Sequence, residues 1–116
     1  MITPERLNHL LHSRPVPQHL TARVGEELDI QLPRVPLTAE TQLVELCASF
    51  RGCGAIEVAG GMDVLEGAML PRKVHARALR PGRSVISIRA IDPFSRVAIV
   101  GVDPVEIIID VDPSEA

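Results

Sequence analysis

The sequence predicts an all-β domain, an antiparallel β-sandwich preceded by one short N-terminal helix. Three observations lead there. Six to eight segments with strand patterning recur at a spacing of about eight to twelve residues, with turn chemistry between them. Val, Ile, Leu and Ala must fill the core, because Phe50 and Phe94 are the only aromatic residues. The 116 residues, 46% hydrophobic and 23% charged, suit one globular domain with a core of its own. A β-barrel of similar strand number is the structural alternative.

The helix comes first. Thr3 is placed to cap it and Pro4 to open it, since proline's missing N–H costs nothing in the first turn. Leu7, Leu10 and Leu11 then form a stripe at helical spacing, which Pro15 and Pro17 stop. Residues 20–33, LTARVGEELDIQLP, read as a strand, a tight turn and a second strand. In the latter, Leu28, Ile30 and Leu32 alternate with Glu27, Asp29 and Gln31, the period of two of a half-buried strand. A proline-containing loop over 33–41 leads to a strand over 42–50 with Val44, Leu46, Ala48 and Phe50 on one face. Gly52 and Gly54 punctuate, 55–58 is a short strand, and Gly60-Gly61 is a turn. Residues 62–70 carry no decisive pattern.

Residues 73–79 alternate again, Val74, Ala76 and Ala78 against Lys73, His75 and Arg77. Arg80-Pro81-Gly82-Arg83 has the composition of a tight turn and is expected to join this strand to the next, 84–91, as a hairpin. Asp92-Pro93-Phe94-Ser95 breaks the chain, 96–100 is expected as an edge strand, and 105–111 closes the domain. That last strand is apolar enough, with Val105, Ile107, Ile108, Ile109 and Val111, to be expected in a sheet interior. The resulting division is a helix and proline-rich connector over 1–17, a sandwich over 18–112 and a frayed tail over 113–116.

Composition narrows function by exclusion. A net charge of -3, scattered Lys and Arg, and no Trp or Tyr argue against nucleic acid, which needs clustered cations and stacking platforms. No run of 18 apolar residues spans a membrane. The N-terminus lacks the pattern of a signal peptide, so the expected location is cytoplasmic. There Cys47 and Cys53 are expected as thiols rather than a disulfide.

Several residues invite chemical readings, and each has a plainer one. His9 and His12 lie three apart on the helix, but no carboxylate or Cys at matching spacing completes a metal site. A Cys–His catalytic pair, Cys47 or Cys53 with His75, has no local signature beside either Cys. Asp103, Glu106, Asp110 and Asp112 are spread along a strand rather than focused on a point, and are expected to keep one face solvated. Neither a metal nor any other cofactor is expected, and neither is enzymatic activity.

Residues 20–33 resemble the opening of the chagasin-like cysteine peptidase inhibitors, through Val24-Gly25-Glu26 and Ile30-Gln31-Leu32-Pro33. The paired strands over 74–91 with Gly82 between them, followed by the Asp92-Pro93-Phe94 corner, agree in layout. This resemblance implies an immunoglobulin-like sandwich in which three loops at one end enter the cleft of a papain-like peptidase. The corresponding positions are Pro36, Leu37, Thr38 and Ala39; Gly67, Ala68, Met69 and Leu70; and Asp92, Pro93 and Phe94. The loops depart from the family pattern: the first lacks Asn-Pro-Thr-Thr-Gly, the second its inner glycines, and the third carries Asp and Phe where Arg and Trp are typical. Leu37, Met69, Leu70 and Phe94 would together make an apolar tip, a surface suited to a protein partner; the alternative is that Leu70 and Phe94 turn inward to plug the sandwich. The functional expectation is therefore a non-enzymatic protein-binding module, with peptidase inhibition as its sharp form. The alternative is a scaffold or assembly component that binds another subunit through the helix or a sheet edge. A small hydrolase or metal enzyme ranks third.

Overall fold

The computed structural model describes residues 2–13, 16–36, 38–41, 43–52, 54–58, 64–67 and 73–113. Among these residues the fold is mostly β, with two sheets and one short helix. Helix α1, Pro4–His12, starts as its sequence dictates: Thr3 is the N-cap, and its hydroxyl oxygen accepts from the Arg6 amide at 3.2 Å. Leu7 and Leu11 are fully buried. Eight strands follow: β1 His19–Arg23, β2 Glu27–Gln31, β3 Glu45–Gly52, β4 Ile56–Val58, β5 Val64–Gly67, β6 Lys73–Ala78, β7 Gly82–Ile91 and β8 Val105–Asp112. They form a five-stranded sheet in the order β1-β8-β7-β3-β5 and a three-stranded sheet in the order β2-β6-β4. As expected, β8 lies in a sheet interior.

One aliphatic core joins the two sheets. Ala22, Leu46, Ala48, Ile86, Ile88, Ile107 and Ile109 come from the larger sheet, Ile30, Val58, Val74 and Ala76 from the smaller, and Leu7 and Leu11 from the helix. Alternation does the sorting, because successive side chains of a strand point to opposite faces. In β6 the result is strict: Val74, Ala76 and Ala78 are buried while Lys73, His75 and Arg77 are exposed.

Two expectations about pairing are corrected. The hairpin expected over residues 80–83 does not form, since β6 pairs with β2 and β4 whereas β7, which already includes Gly82 and Arg83, pairs with β3 and β8. Residues 79–81 carry the chain from one sheet to the other. Nor is the sandwich wholly antiparallel: β1 runs parallel to β8, with Leu20 opposite Ile109 and Ala22 opposite Val111. The Val24-Gly25-Glu26 turn explains how. The Val24 amide still donates to Asp112 of the larger sheet at 3.2 Å, while the Gly25 amide already donates to Ala78 of the smaller at 2.8 Å. Gly25 takes φ +93° there, a region that glycine enters without the steric penalty of a Cβ.

The register also fixes which segments share an end. Glu45 at the start of β3 is opposite Ile91 at the end of β7, and Leu46 is opposite both Ala90 and Gly67 at the end of β5. Val105 at the start of β8 is opposite Ile88. The start of β3, the end of β5 and the connection from β7 to β8 therefore all meet one end of the larger sheet. Strand β1 leaves that end in parallel with β8, and α1 precedes it, so the helix packs there too.

Candidate functional site

At that end the first segment, residues 33–44, is organised by Thr41, a buried side chain. Its hydroxyl donates to the Pro36 carbonyl and accepts from the Thr38 amide at 3.0 Å, and the Thr41 amide returns a bond to the Thr38 carbonyl at 3.1 Å. This ring of bonds holds Pro36, Thr38 and Ala39 exposed. Leu37 lies outside the described residues. Sequence reading placed Thr41 at the loop's end but missed its role. The available signal was a Thr three residues after another Thr, the spacing of a side-chain turn.

Of the second segment, Gly67 is the last residue of β5, paired with Leu46, so it belongs to the sheet and not to a loop. Ala68, Met69 and Leu70 lie outside the described residues. The third segment is fully described. The Asp92 carboxylate accepts from the amides of Phe94 and Ser95 at 2.8 and 3.3 Å, and its carbonyl accepts from the Arg96 amide at 2.8 Å. Arg96 closes this turn with φ +63°. The Asp92 amide then donates to Val97 at 3.0 Å, and Ala98 bridges Ile91. Residues 92–98 thus make a tight hairpin, in which the expected edge strand over 96–100 shrinks to one bridge.

Phe94 stands outward at the tip of this hairpin, 82% exposed. It does not plug the sandwich. Val97 (61%), Val100 (88%) and Leu43 (52%) are exposed beside the same sheet end, while Ile99 and Val102 pack on the core. Sequence reading missed Val97, Val100 and Leu43. Their signal was present: VAIVGV between Pro93 and Pro104 is too apolar for an ordinary exposed connection. Ionic pairs flank the apolar residues, Arg96 to Glu45 at 3.7 Å and Arg6 to Glu40 at 3.2 Å.

The other chemical candidates are drawn apart. Cys47 alternates with Leu46 and Ala48 and so faces outward from the larger sheet, whereas His75 faces outward from the smaller. The core lies between them, which removes that catalytic pair; Cys53 is outside the described residues. His9 is exposed, and His12 Nε2 sits 3.0 Å from the Asp103 carbonyl. No group of three or more His, Cys, Asp or Glu is arranged to hold a metal among the described residues. No helix among them is long and apolar enough to cross a membrane.

The outer sheet faces carry cross-strand ion pairs. His75 Nδ1 lies 3.0 Å from Asp29 Oδ1, its registered partner. That hydrogen bond to Asp29, with Glu27 adding a smaller attraction, raises the His75 pKa, and the same bond lowers that of Asp29. On the larger sheet Asp110 accepts from Arg83 Nε at 2.8 Å and His19 Nε2 at 2.6 Å. Arg83 first, and then His19, hold its carboxyl down at about 2. These are solvated faces stabilised by pairing across strands. The chain matches no family model and no curated protein.

Proposed function

We propose that this chain is a non-enzymatic protein-binding module that engages its partner through the Phe94 end. The observation that carries this reading is the outward display of Phe94, Val97, Val100 and Leu43 at the end where the first and third loop segments meet. Exposed apolar side chains on a built and hydrogen-bonded hairpin cost stability in isolation and are recovered when a partner covers them.

The sharper form is inhibition of a papain-like peptidase by an immunoglobulin-like sandwich. Strand pairing supports it. In immunoglobulin constant domains strands B, E and D share one sheet and C, F and G the other; assigning B to β2, C to β3, D to β4, E to β6, F to β7 and G to β8 reproduces both orders. Strand β5 is then an addition beside C, and β1 an addition beside G. Convergence of residues 38–41 and 92–98 on one end supports the wedge arrangement that inhibitors of this type use. The competing route, a partner docked on α1, has less to recommend it, because the helix already spends Leu7 and Leu11 on the chain's own core.

Inhibition of papain by the wild-type chain, by Phe94→Asp and by Val100→Asp tests this. The wild type inhibits, and each variant is weaker by about thirtyfold or more, as expected when a central apolar anchor is lost. Absence of inhibition by the wild type at micromolar concentration removes the peptidase reading; equal inhibition by all three removes the assigned surface.

A further inference from the structure

We infer that helix α1 braces the binding end, with Asn8 as the positioning residue that sets the connection from β7 to β8. This rests on the reading of that end as a partner surface. The Asn8 side-chain amide makes both of its bonds to that connection: Nδ2 donates to the Gly101 carbonyl at 2.7 Å, and Oδ1 accepts from the Asp103 amide at 2.8 Å. One planar group therefore fixes two backbone groups that lie more than ninety residues away in sequence. They follow directly on the exposed Val97 and Val100.

Two further contacts make the helix a brace rather than a single tether. Pro4 packs so closely on Gly101 that a Cβ built there would stand 3.2 Å from Pro4 Cβ, and Gly101 also takes φ +85°. His12 Nε2 reaches the Asp103 carbonyl at 3.0 Å. On its other flank the helix meets the first loop segment, where Arg6 Nε lies 3.2 Å from Glu40. Leu7 and Leu11 anchor it in the core, so it moves with the sandwich and both segments are referred to one rigid body.

The consequence is preorganisation. An apolar connection left to itself gains by collapsing onto the nearest apolar surface, and a partner must then reopen it and order it. Holding Val97 and Val100 outward before encounter removes that cost from binding. Asn8 has no need to touch the partner to affect affinity.

The full chain carrying Asn8→Ala, Asn8→Asp or Gly101→Ala tests this by amide hydrogen exchange without partner and by papain inhibition. Asn8→Ala should speed exchange at Ile99, Val102 and Asp103 by tenfold or more while β7 and β8 amides hold their wild-type rates, and Gly101→Ala should do the same from the other side of the contact. Asn8→Asp, which keeps the acceptor for the Asp103 amide, should restore part of the protection. Inhibition by Asn8→Ala should weaken about tenfold with an unchanged melting transition. A rate change confined to Asp103 overturns the brace, as does undiminished inhibition by an Asn8→Ala chain whose connection has loosened. If the wild type fails to inhibit, the peptidase reading falls, and the exchange pattern still decides the brace.

Discussion

At the scale of single residues, one cross-strand ion pair and one buried hydroxyl make opposite statements about stability. His75 and Asp29 face each other across β2 and β6 at 3.0 Å, both in water. The raised His75 pKa means that its contribution is complete below the ordinary value of 6.5 and is lost as pH rises through the higher folded value. The lowered Asp29 pKa works on the acid side, where stability is present above 3.8 and is lost as pH falls through the lower folded value. His75→Gln should therefore flatten the decline of the thermal midpoint as pH rises from 6.5 through the higher folded value, with little effect on unfolding well above it. The amplitude is small because both groups are hydrated. Ser87 is the other case: its hydroxyl is buried with no hydrogen-bond partner among the described residues. An unpaired buried hydroxyl costs about 1–3 kcal/mol, so Ser87→Ala should leave stability equal or raise it by up to ~1 kcal/mol in urea denaturation. A loss of that size would mean that the hydroxyl is paired.

At the scale of elements, α1 is held by burial and not by its own propensity, since a nine-residue helix is marginal alone. Leu7→Ala should cost about 2–5 kcal/mol, the range for truncating a fully buried leucine, whereas Thr3→Ala should cost only ~1 kcal/mol through the lost cap. Equilibrium unfolding of both variants checks the ordering; equal losses would mean that Leu7 is not anchored in the core. The helix was legible in sequence down to its cap and its apolar stripe. Its place was not, because Asn8, His12 and Pro4 find their partners at residues 101–103. Strands were legible for the same reason that the stripe was: alternation in β2, β6 and β8 is a local property, written residue by residue. The hairpin expected at 80–83 does not form because a Pro-Gly sequence specifies a change of direction and not whether the next strand pairs with the last one.

At the scale of the whole molecule, the two sheets and the helix share one core, and the apolar residues at the Phe94 end lie outside it. Phe94→Asp and Val100→Asp should therefore leave folding stability within about 0.5 kcal/mol of wild type, the usual range for surface substitutions, while weakening partner binding. Calorimetry beside the inhibition assay separates the two; a destabilised variant would assign these side chains to packing. Part of the candidate site was legible at this scale as well. Phe94, expected at an apolar tip, stands outward, while Val97 and Val100 carry the signal of an edge strand because a run of Val and Ile has strand character wherever it lies. Only the Ala98–Ile91 bridge and the hold of α1 on Gly101 and Asp103 turn that run into a displayed connection.

Interactions between residues within a few positions of one another specify the β class, every strand segment except β5, the faces those strands bury and the capped helix. Long-range packing sets the rest: that β1 joins β8 in parallel, that the chain changes sheet at 24–26 and at 79–81 instead of closing hairpins there, and that α1 rests against the Phe94 end. The physical reason is that a period of two tells a strand which side to bury but not which strand to bond. Every backbone edge offers the same donors and acceptors, and the choice among them is made by how the whole set of apolar faces closes over one core.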